Sequence, residues 1–469
     1  MSEVPETEPL DKAPLSIREE EDAVYGLNDD TVQQIREYLD QNNVNEIRQQ
    51  IAELHSADIA DLIEHLRPKH RSKLLLIADD LVEADVYSDL DDTVREDLVD
   101  EMETAEIAEL VNELELDDAI DVLDDLEKDE QQDVLNELPA ENRLVIEEGL
   151  SYQEDTAGRL MQRDLVAVPE YWDIGQTIDY LREAEGLPKD FYEIFVVDPR
   201  HHPIGTLPLD HAMCSRPNVP VSEVMHREQK LIPVGMDQEE VAYLFQQYRL
   251  SSAAVVNESG ALIGMITVDD VVDVISEEAE EDILRLGGVS EDDLFGSILE
   301  TARTRFTWLL VNLFTAILAS VAISFFDAAM EKVIALAVLM PIVASMGGNA
   351  GTQTLTVAVR AIATRELTAS NMTVILRKEA LVAFINGCIF AILIGLVSWV
   401  WFGDADIGWV IALAMVVNML VAGIAGMVIP ITLERHDIDP AIASSVFVTT
   451  ITDIIGFVAF LGIASAVLL

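Results

Sequence analysis

Five long apolar stretches dominate the sequence after residue 305, at residues 306–326, 333–359, 380–402, 408–432 and 441–469. Each stretch contains at least the roughly 20 residues that a helix needs to cross a bilayer. Lipid offers no hydrogen bonds to the backbone, so such a stretch must satisfy its polar groups internally as a helix. We therefore predict an α-helical membrane domain with five transmembrane helices at residues 306–469.

The charge of the chain is divided at nearly the same place. Residues 301–469 carry 8 Lys and Arg against 10 Asp and Glu, so −55 of the net charge of −57 belongs to the first 300 residues. A surface this negative repels phosphates, which excludes nucleic acid as a partner. It is also typical of proteins from a high-salt cytoplasm, and we interpret the chain as an acidic, salt-adapted protein.

The N-terminal part follows a helical pattern from residue 29 to residue 150, with apolar residues at every third or fourth position. Residues 1–28 are acidic and lack an apolar core, which predicts a flexible tail and no signal peptide. Segment 57–66 resembles segment 105–114. This repetition predicts stacked helical hairpins, that is, an all-α superhelical domain.

Acidic residues crowd the polar face of these helices. Asp117 and Asp121 are four positions apart and hence neighbours on one helix face. Like charges at this spacing cost stability unless something positive lies between them. Two interpretations stay open at this point: a divalent cation site, or the solvated acidic face of a salt-adapted protein.

Residues 151–267 contain the order strand, helix, strand, strand twice. The two copies resemble a tandem pair of CBS domains, an α/β fold, and Gly205 and Gly264 match the glycine that closes each hairpin of that fold. Such pairs usually sense a ligand, often a nucleotide, so a nucleotide is a possible cofactor here. The alternative is a scaffold that only dimerises and transmits force.

Residues 268–305 connect the soluble and apolar parts. The pattern of residues 268–286 predicts one helix that ends at Gly287 and Gly288 and is followed by a linker. The surface of this helix is acidic through Asp270, Asp273, Glu278, Glu281 and Asp282. We expect it to carry a cytoplasmic signal to the membrane domain.

Basic residues indicate the orientation of the spans. Arg303 and Arg305 precede the first span, four more basic residues lie between the second and third, and Lys332 is the only one on the opposite side. Basic loops face the cytoplasm. The sequence thus predicts a multi-pass cell (plasma) membrane protein with cytoplasmic N-terminal domains and an external C-terminus.

Helix-breaking and polar residues interrupt two of the apolar stretches. In the second, Pro341 and the run Gly347, Gly348 and Asn349 predict a broken or unwound helix, which a membrane tolerates only beside a wet cavity or buried backbone. In the fourth, Pro430 predicts a similar break, and an amide, Asn418, lies mid-span. We expect these residues to line a pore; close helix packing is the alternative for the glycines.

Asp453 lies about 12 residues into the fifth stretch, which is near mid-membrane depth. Its neighbours Thr449 and Thr450 add hydroxyl oxygens. Carboxylate, carbonyl and hydroxyl oxygens suit a hard cation, and Mg²⁺ keeps several waters and needs only one or two carboxylates. One aspartate per chain suffices if two chains face each other across a two-fold pore. The alternative is a structural aspartate bonded to neighbouring hydroxyls.

The order of these parts, with the motifs at 341–354, 438–441 and 452–456, resembles the MgtE family of magnesium transporters. The resemblance implies a homodimeric Mg²⁺ channel whose cytoplasmic domains bind Mg²⁺ and close the pore. It implies that Asp453 is the pore aspartate and that Asp439 lies at the cytoplasmic mouth. It extends the regulatory sites to Asp85, Asp117, Asp121, Asp237, Glu239 and the acidic residues of the connecting helix.

From the sequence we expect passive Mg²⁺ import that serves magnesium homeostasis, and no enzymatic activity, because no Walker-type phosphate-binding loop is present. Two alternatives stay open. One is a coupled carrier for another divalent cation or an osmolyte, gated by nucleotide. The other is a CBS-containing membrane receptor whose spans only anchor it.

Overall fold

The computed structural model describes residues 27–184, 187–188, 191–289, 298–368, 370–436 and 438–468. Most of the predicted tail at residues 1–28, and residues 290–297 of the predicted linker, lie outside the described residues. The chain divides into two compact units, Met1–Val272 and Asp273–Leu469.

The first unit begins with short helices. They are α1 Asp29–Gln41, α2 Val44–Ile51, α3 Ser56–His65, α4 Pro68–Ala78, α5 Asp85–Ser88, α6 Asp92–Val99, α7 Thr104–Glu113, α8 Leu116–Asp124, α9 Lys128–Glu137, α10 Ala140–Leu150 and α11 Ala157–Leu160, with a 3₁₀ turn at Asp79–Leu81. Helices α2, α3, α7 and α8 each pack against the helix two further along the chain. Their apolar faces share one core that includes Leu39, Ile63 and Leu123. The stacking confirms the predicted all-α superhelical fold.

The rest of the first unit contains two three-stranded sheets. The elements are β1 Ala167–Pro169, α12 Ile174–Glu183, β2 Glu193–Val197, β3 Pro203–Pro208, α13 Leu209–Cys214, α14 Val221–Val224, β4 Leu231–Pro233, α15 Gln238–Tyr248, β5 Ser252–Val256 and β6 Leu262–Thr267. In each sheet the middle strand pairs in parallel with the first and antiparallel with the third, with a register shift near its end. A Cβ on Gly205 would lie 2.7 Å from the carbonyl oxygen of His226, and one on Gly264 2.8 Å from that of Gln162. The two copies confirm the predicted α/β pair.

Helix α16, Val268–Gly287, begins in the first unit and ends in the second. Gly288 follows it with φ +72°, in the left-handed region that favours glycine. The second unit continues with α17 Ile298–Ser324, α18 Asp327–Lys332, α19 Ile334–Ala363, α20 Met372–Phe402, α21 Ala405–Glu434 and α22 Pro440–Leu468. Among the described residues, five helices are long and apolar enough to cross a membrane: α17, α19, α20, α21 and α22.

The predicted breaks at Pro341 and Pro430 are wrong, because α19 and α21 each continue through their proline. A proline removes one backbone donor, and in a membrane neighbouring helices make such a loss tolerable. Helix α21 packs against α19, α20 and α22 and is the most buried of the five. Gly347 and Gly351 of α19 serve the packing of this helix against α21 and α22.

Candidate metal centres

The seam between α19 and α22 is closed by small residues. A Cβ on Gly351 would lie 2.5 Å from Cγ1 of Val448, and one on Gly348 would lie 4.0 Å from Cγ2 of Thr449. The two helices therefore approach closely, and Thr449 lies beside Gly348. Small residues permit such an approach in membranes.

Asp453 lies one helical turn beyond Thr449, hence on the same face of α22. It is half-buried, and within the described residues its carboxylate has no hydrogen-bond or ion-pair partner. The hydroxyls of Thr449 and Thr450 donate to Ser445 and Val446 of their own helix, at 2.9 and 2.6 Å. Their oxygen lone pairs remain able to accept. An unneutralised carboxylate thus lies among hydroxyl oxygens in an apolar span.

The predicted pore residues of α19 and α21 separate into two groups. Gly347 and Asn418 are buried between helices, where a Cβ on Gly347 would lie 2.2 Å from Nδ2 of Asn418. Gly348 and Asn349 lie on other faces of α19, and Asn349 is exposed, with Nδ2 3.4 Å from Oγ of Ser345. The structure therefore places Asn418 in helix packing.

Asp439 lies immediately before α22. Its Oδ1 accepts a hydrogen bond from the backbone N–H of Ala441 at 2.6 Å. Its Oδ2 accepts one from Nη1 of Arg285, on α16, also at 2.6 Å. Arg285 also pairs with Glu281. Burial, and then the charges of Asp439 and Glu278, raise the pKa of Asp282 to about 6. One arginine therefore lies among four carboxylates, an arrangement that favours a further cation.

A second acidic cluster lies in the first unit. Burial, and then the nearby charges of Asp270 and Asp118, raise the pKa of Asp117 well above its ordinary value. Burial, followed by the charges of Asp270 and Asp85, raises the pKa of Asp118 to about 6. Oδ1 of Asp117 is buried without a hydrogen-bond partner. This orphaned oxygen and the crowded carboxylates fit a bound divalent cation.

An arginine, Arg95, borders this cluster, and two polar side chains donate hydrogen bonds to its member Asp270. Arg95 is buried and pairs with Asp92 at 2.8 Å and Asp125 at 2.7 Å. Asp270 accepts hydrogen bonds from Oγ1 of Thr267 at 2.6 Å and from Nε2 of Gln162 at 3.3 Å. The hydrogen bonds hold Asp270 in place, and the charge of Arg95 acts on Asp118 and opposes the rise of its pKa.

The structure thus groups the predicted sensor residues differently from the sequence. Asp117 is paired with Asp118, which sequence reasoning missed because the helical spacing selected Asp121. Asp121 is exposed, and its charge acts on Arg95. Asp85 is exposed and lies near enough for its charge to affect Asp118.

The remaining predicted ligands are exposed side chains. Oδ1 of Asp237 caps α15 by accepting the backbone N–H of Glu239 at 3.0 Å. Both residues are exposed, as is Asp273 on α16. Across the part of the chain that the structure describes, no three His, Cys, Asp or Glu residues are already arranged to hold a metal ion. A cation at any of these places would take most of its ligands from water, which Mg²⁺ does readily.

Five membrane-length helices, an unpaired carboxylate in the last of them and acidic clusters outside them define a multi-pass membrane transporter. A family model described as "Divalent cation transporter" matches residues 340–463, "MgtE intracellular N domain" matches 54–155, and a CBS domain model matches 221–277. The chain belongs to the MgtE family, whose members are transporters and not enzymes.

Relatives match over most of the chain. "Magnesium transporter MgtE" of Thermus thermophilus is 34% identical over 70% of this chain and 73% of its own length. That of Bacillus subtilis is 29% identical over 93% of this chain and 97% of its own length. A solved cytosolic domain of the Mg²⁺ channel MgtE, in complex with ATP, is 31% identical and covers 52% of this chain and 99% of that one, with a TM-score of 0.48.

Proposed function

We propose that the protein is a Mg²⁺-selective channel that imports the ion down its electrochemical gradient. The observation that carries this proposal is the carboxylate of Asp453, half-buried in an apolar span with no partner among the described residues. A charge inside a membrane is costly and marks an ion pathway when it faces a wet space. A hydrated Mg²⁺ ion would neutralise Asp453 while keeping most of its waters.

The pathway runs along the face of α22 that carries Thr449 and Asp453. Ions enter from the side of Asp404 and Asp406, pass Asp453 and Thr449, and leave past Asp439 into the cytoplasm. The C-terminus is external, and two chains form a homodimer with paired Asp453 residues across the pore. A divalent ion gains about 4.6 kcal/mol per 100 mV of membrane potential, twice the single-charge value, so no chemical energy source is needed.

Cytoplasmic Mg²⁺ closes the channel by binding at the two acidic clusters. Asp117, Asp118 and Asp270 repel one another until a cation neutralises them, which favours the state in which they lie together. The cluster around Asp439 acts in the same way on the end of α16. Because α16 belongs to both units, ordering its two ends couples the cytoplasmic ion level to the pore.

We assign the regulatory parts to residues 29–150, 151–267 and 268–305, and the pore to residues 306–469. Asp85, Asp121, Asp237, Glu239 and Asp273 are further candidates for the regulatory sites. Binding of a nucleotide to the CBS pair stays a prediction.

The test is Mg²⁺ flux into liposomes that contain the purified protein, with an imposed membrane potential. Asp453→Asn removes the charge at nearly constant volume, and Asp327→Asn, an exposed residue of α18, is the matched control. We expect Asp453→Asn to lose at least ten-fold in flux and the control to keep it. Wild-type flux in Asp453→Asn would refute the pathway, and no flux in wild type would favour a receptor.

A further inference from the structure

A cavity of about 250 Å³ lies in the membrane unit between α19, α20 and α21. Most of its wall is apolar, yet four amide or carboxylate side chains line it, beside the hydroxyl of Thr354: Asn349, Gln353, Glu379 and Asn386. Among the described residues, no lining residue belongs to α22, so the cavity is separate from Asp453.

The four side chains lie on two facing stripes. Asn349 and Gln353 are four residues apart on α19, and Glu379 and Asn386 are seven residues apart on α20, so each pair shares a helix face. On the far side, Gly423 of α21 lets α20 approach, because a Cβ there would lie 2.5 Å from that of Ala383. The polar groups therefore converge on a space between the three helices that is partly open to the surface, where Asn349, Gln353 and Asn386 are exposed.

Glu379 carries the charge of this cavity. Its side chain is only 14% exposed, and its one ionic neighbour among the described residues is Nζ of Lys378 at 3.8 Å. The Lys378 side chain is 73% exposed, so this pair is weak. The amides of Gln353 and Asn386 make no hydrogen bond within the described part of the chain. A carboxylate and unused amide oxygens thus lie together in apolar surroundings, where each is costly without a partner.

We propose that this cavity is a second binding site for a hydrated divalent cation, beside the pathway at Asp453. Glu379 supplies the negative charge, and the amide oxygens of Asn349, Gln353 and Asn386 accept hydrogen bonds from the ion's waters. Six waters occupy about 180 Å³ at their liquid volume, which the cavity accommodates. The presence of the site does not depend on the proposed function, whereas the choice of Mg²⁺ as its ion and its role as a reservoir rest on that function.

Such a site acts as a reservoir. Asn349 follows Gly348, which lies against Thr449 in the α19–α22 seam, so the cavity is next to the proposed pathway. A cation held there raises the local ion concentration when Mg²⁺ is scarce. Glu379→Gln should therefore raise the Mg²⁺ concentration for half-maximal flux about three- to ten-fold and leave the flux at saturating Mg²⁺ within two-fold.

The direct test is protection of Glu379 from dicyclohexylcarbodiimide, a carboxyl reagent that partitions into membranes. The full-length protein in lipid nanodiscs is labelled with and without Mg²⁺, and Glu379 is followed by peptide mass spectrometry. We expect Mg²⁺ to reduce its labelling at least five-fold, in wild type and in Asp453→Asn alike. Gln353→Ala and Asn386→Ala should shift half-protection to higher Mg²⁺.

Three results would overturn the proposal: labelling that Mg²⁺ does not change, equal protection by K⁺ at the same ionic strength, or a Glu379 that never reacts because lipid or a second chain covers it. If Asp453→Asn abolishes flux and Mg²⁺ does not protect Glu379, the results support the channel and refute the second cation site. The comparison of wild-type labelling with and without Mg²⁺ does not depend on the folding of any variant.

Discussion

The side-chain amide of Asn418 donates a hydrogen bond to the carbonyl oxygen of Val343 across 2.8 Å and thereby joins α21 to α19. Asn418 is completely buried, in a notch formed by Gly347 on α19 and Gly456 on α22. A Cβ on Gly456 would lie 2.7 Å from Nδ2 of Asn418. The amide of Asn418, and the room that two glycines leave for it, thus bring α19, α21 and α22 together at the same depth of the membrane unit.

Gly347→Ala should destabilise the membrane unit. The added Cβ would lie 2.2 Å from Nδ2 of Asn418, so the amide must move or lose its bond to Val343. Overpacking of this kind costs about 1–3 kcal/mol. The thermal midpoint of the purified protein in detergent measures the change.

Gly348→Ala is the matched control, because the nearest atom to its Cβ is a methyl group at 4.0 Å. We expect its thermal midpoint to equal that of wild type. Equal midpoints for Gly347→Ala and wild type would show that the notch is not tightly packed.

Asp117→Asn should raise the Mg²⁺ concentration that half-inhibits flux. It removes one of the carboxylates that crowd around Asp270, so the cluster attracts a cation less strongly. Asp118→Asn should have the same effect, whereas Asp121→Asn should shift inhibition much less, since Asp121 is exposed and its charge acts on Arg95. An equal shift for Asp121→Asn would instead support the pair of Asp117 and Asp121 that helical spacing predicts.

The same cluster predicts a pH dependence of stability. The folded state raises the pKa of Asp118 from 3.8 to about 6, so the folded chain binds this proton more tightly than the unfolded chain. Between these values the folded chain therefore carries more protons, and its stability falls as the pH rises. Without divalent cations, the thermal midpoint of the first unit should be higher at pH 5 than at pH 7.

Mg²⁺ should reverse this loss. At pH 7 the carboxylates are ionised and the cation neutralises them, so the midpoint should rise more on adding Mg²⁺ at pH 7 than at pH 5. Asp118→Asn should flatten the pH dependence. A midpoint that rises from pH 5 to pH 7 in wild type would contradict the assignment.

Asp439→Asn should loosen the end of α16. The variant keeps Oδ1 as the acceptor for Ala441 but weakens the ion pair with Arg285. The two side chains are 25% and 37% exposed, so the pair contributes up to about 1 kcal/mol, equivalent to roughly five-fold. Tryptic cleavage after Arg285 should accelerate by up to that factor, and Glu280→Gln, an exposed site on the same helix, should leave the rate unchanged.

Much of the fold follows from periodicity in the sequence. The five apolar stretches predicted α17, α19, α20, α21 and α22, although the first helix begins at Ile298, eight residues before the predicted start. The repeated order of strand, helix, strand and strand predicted both sheets, because each copy has short apolar runs bounded by turns, and the middle strands are almost wholly buried.

What the sequence could not predict depends on contacts between distant residues. Pro341 looks like a break, but α19 continues through it. Asn418 looks like a pore residue, but Gly347 and Gly456 enclose it. Glu379 has no local signal at all, because its cavity exists only once α19 and α20 lie side by side.

The notch around Asn418 also imposes an order on biosynthesis. Gly347 precedes Asn418 along the chain, whereas Gly456 follows it by a whole helix. As the ribosome releases the chain, the amide of Asn418 can therefore find Val343 and Gly347 early, but its other side stays open until α22 enters the bilayer. Arrival of the last helix is then the event that shields this amide, so the segment that brings Asp453 into place also completes assembly of the helices around it.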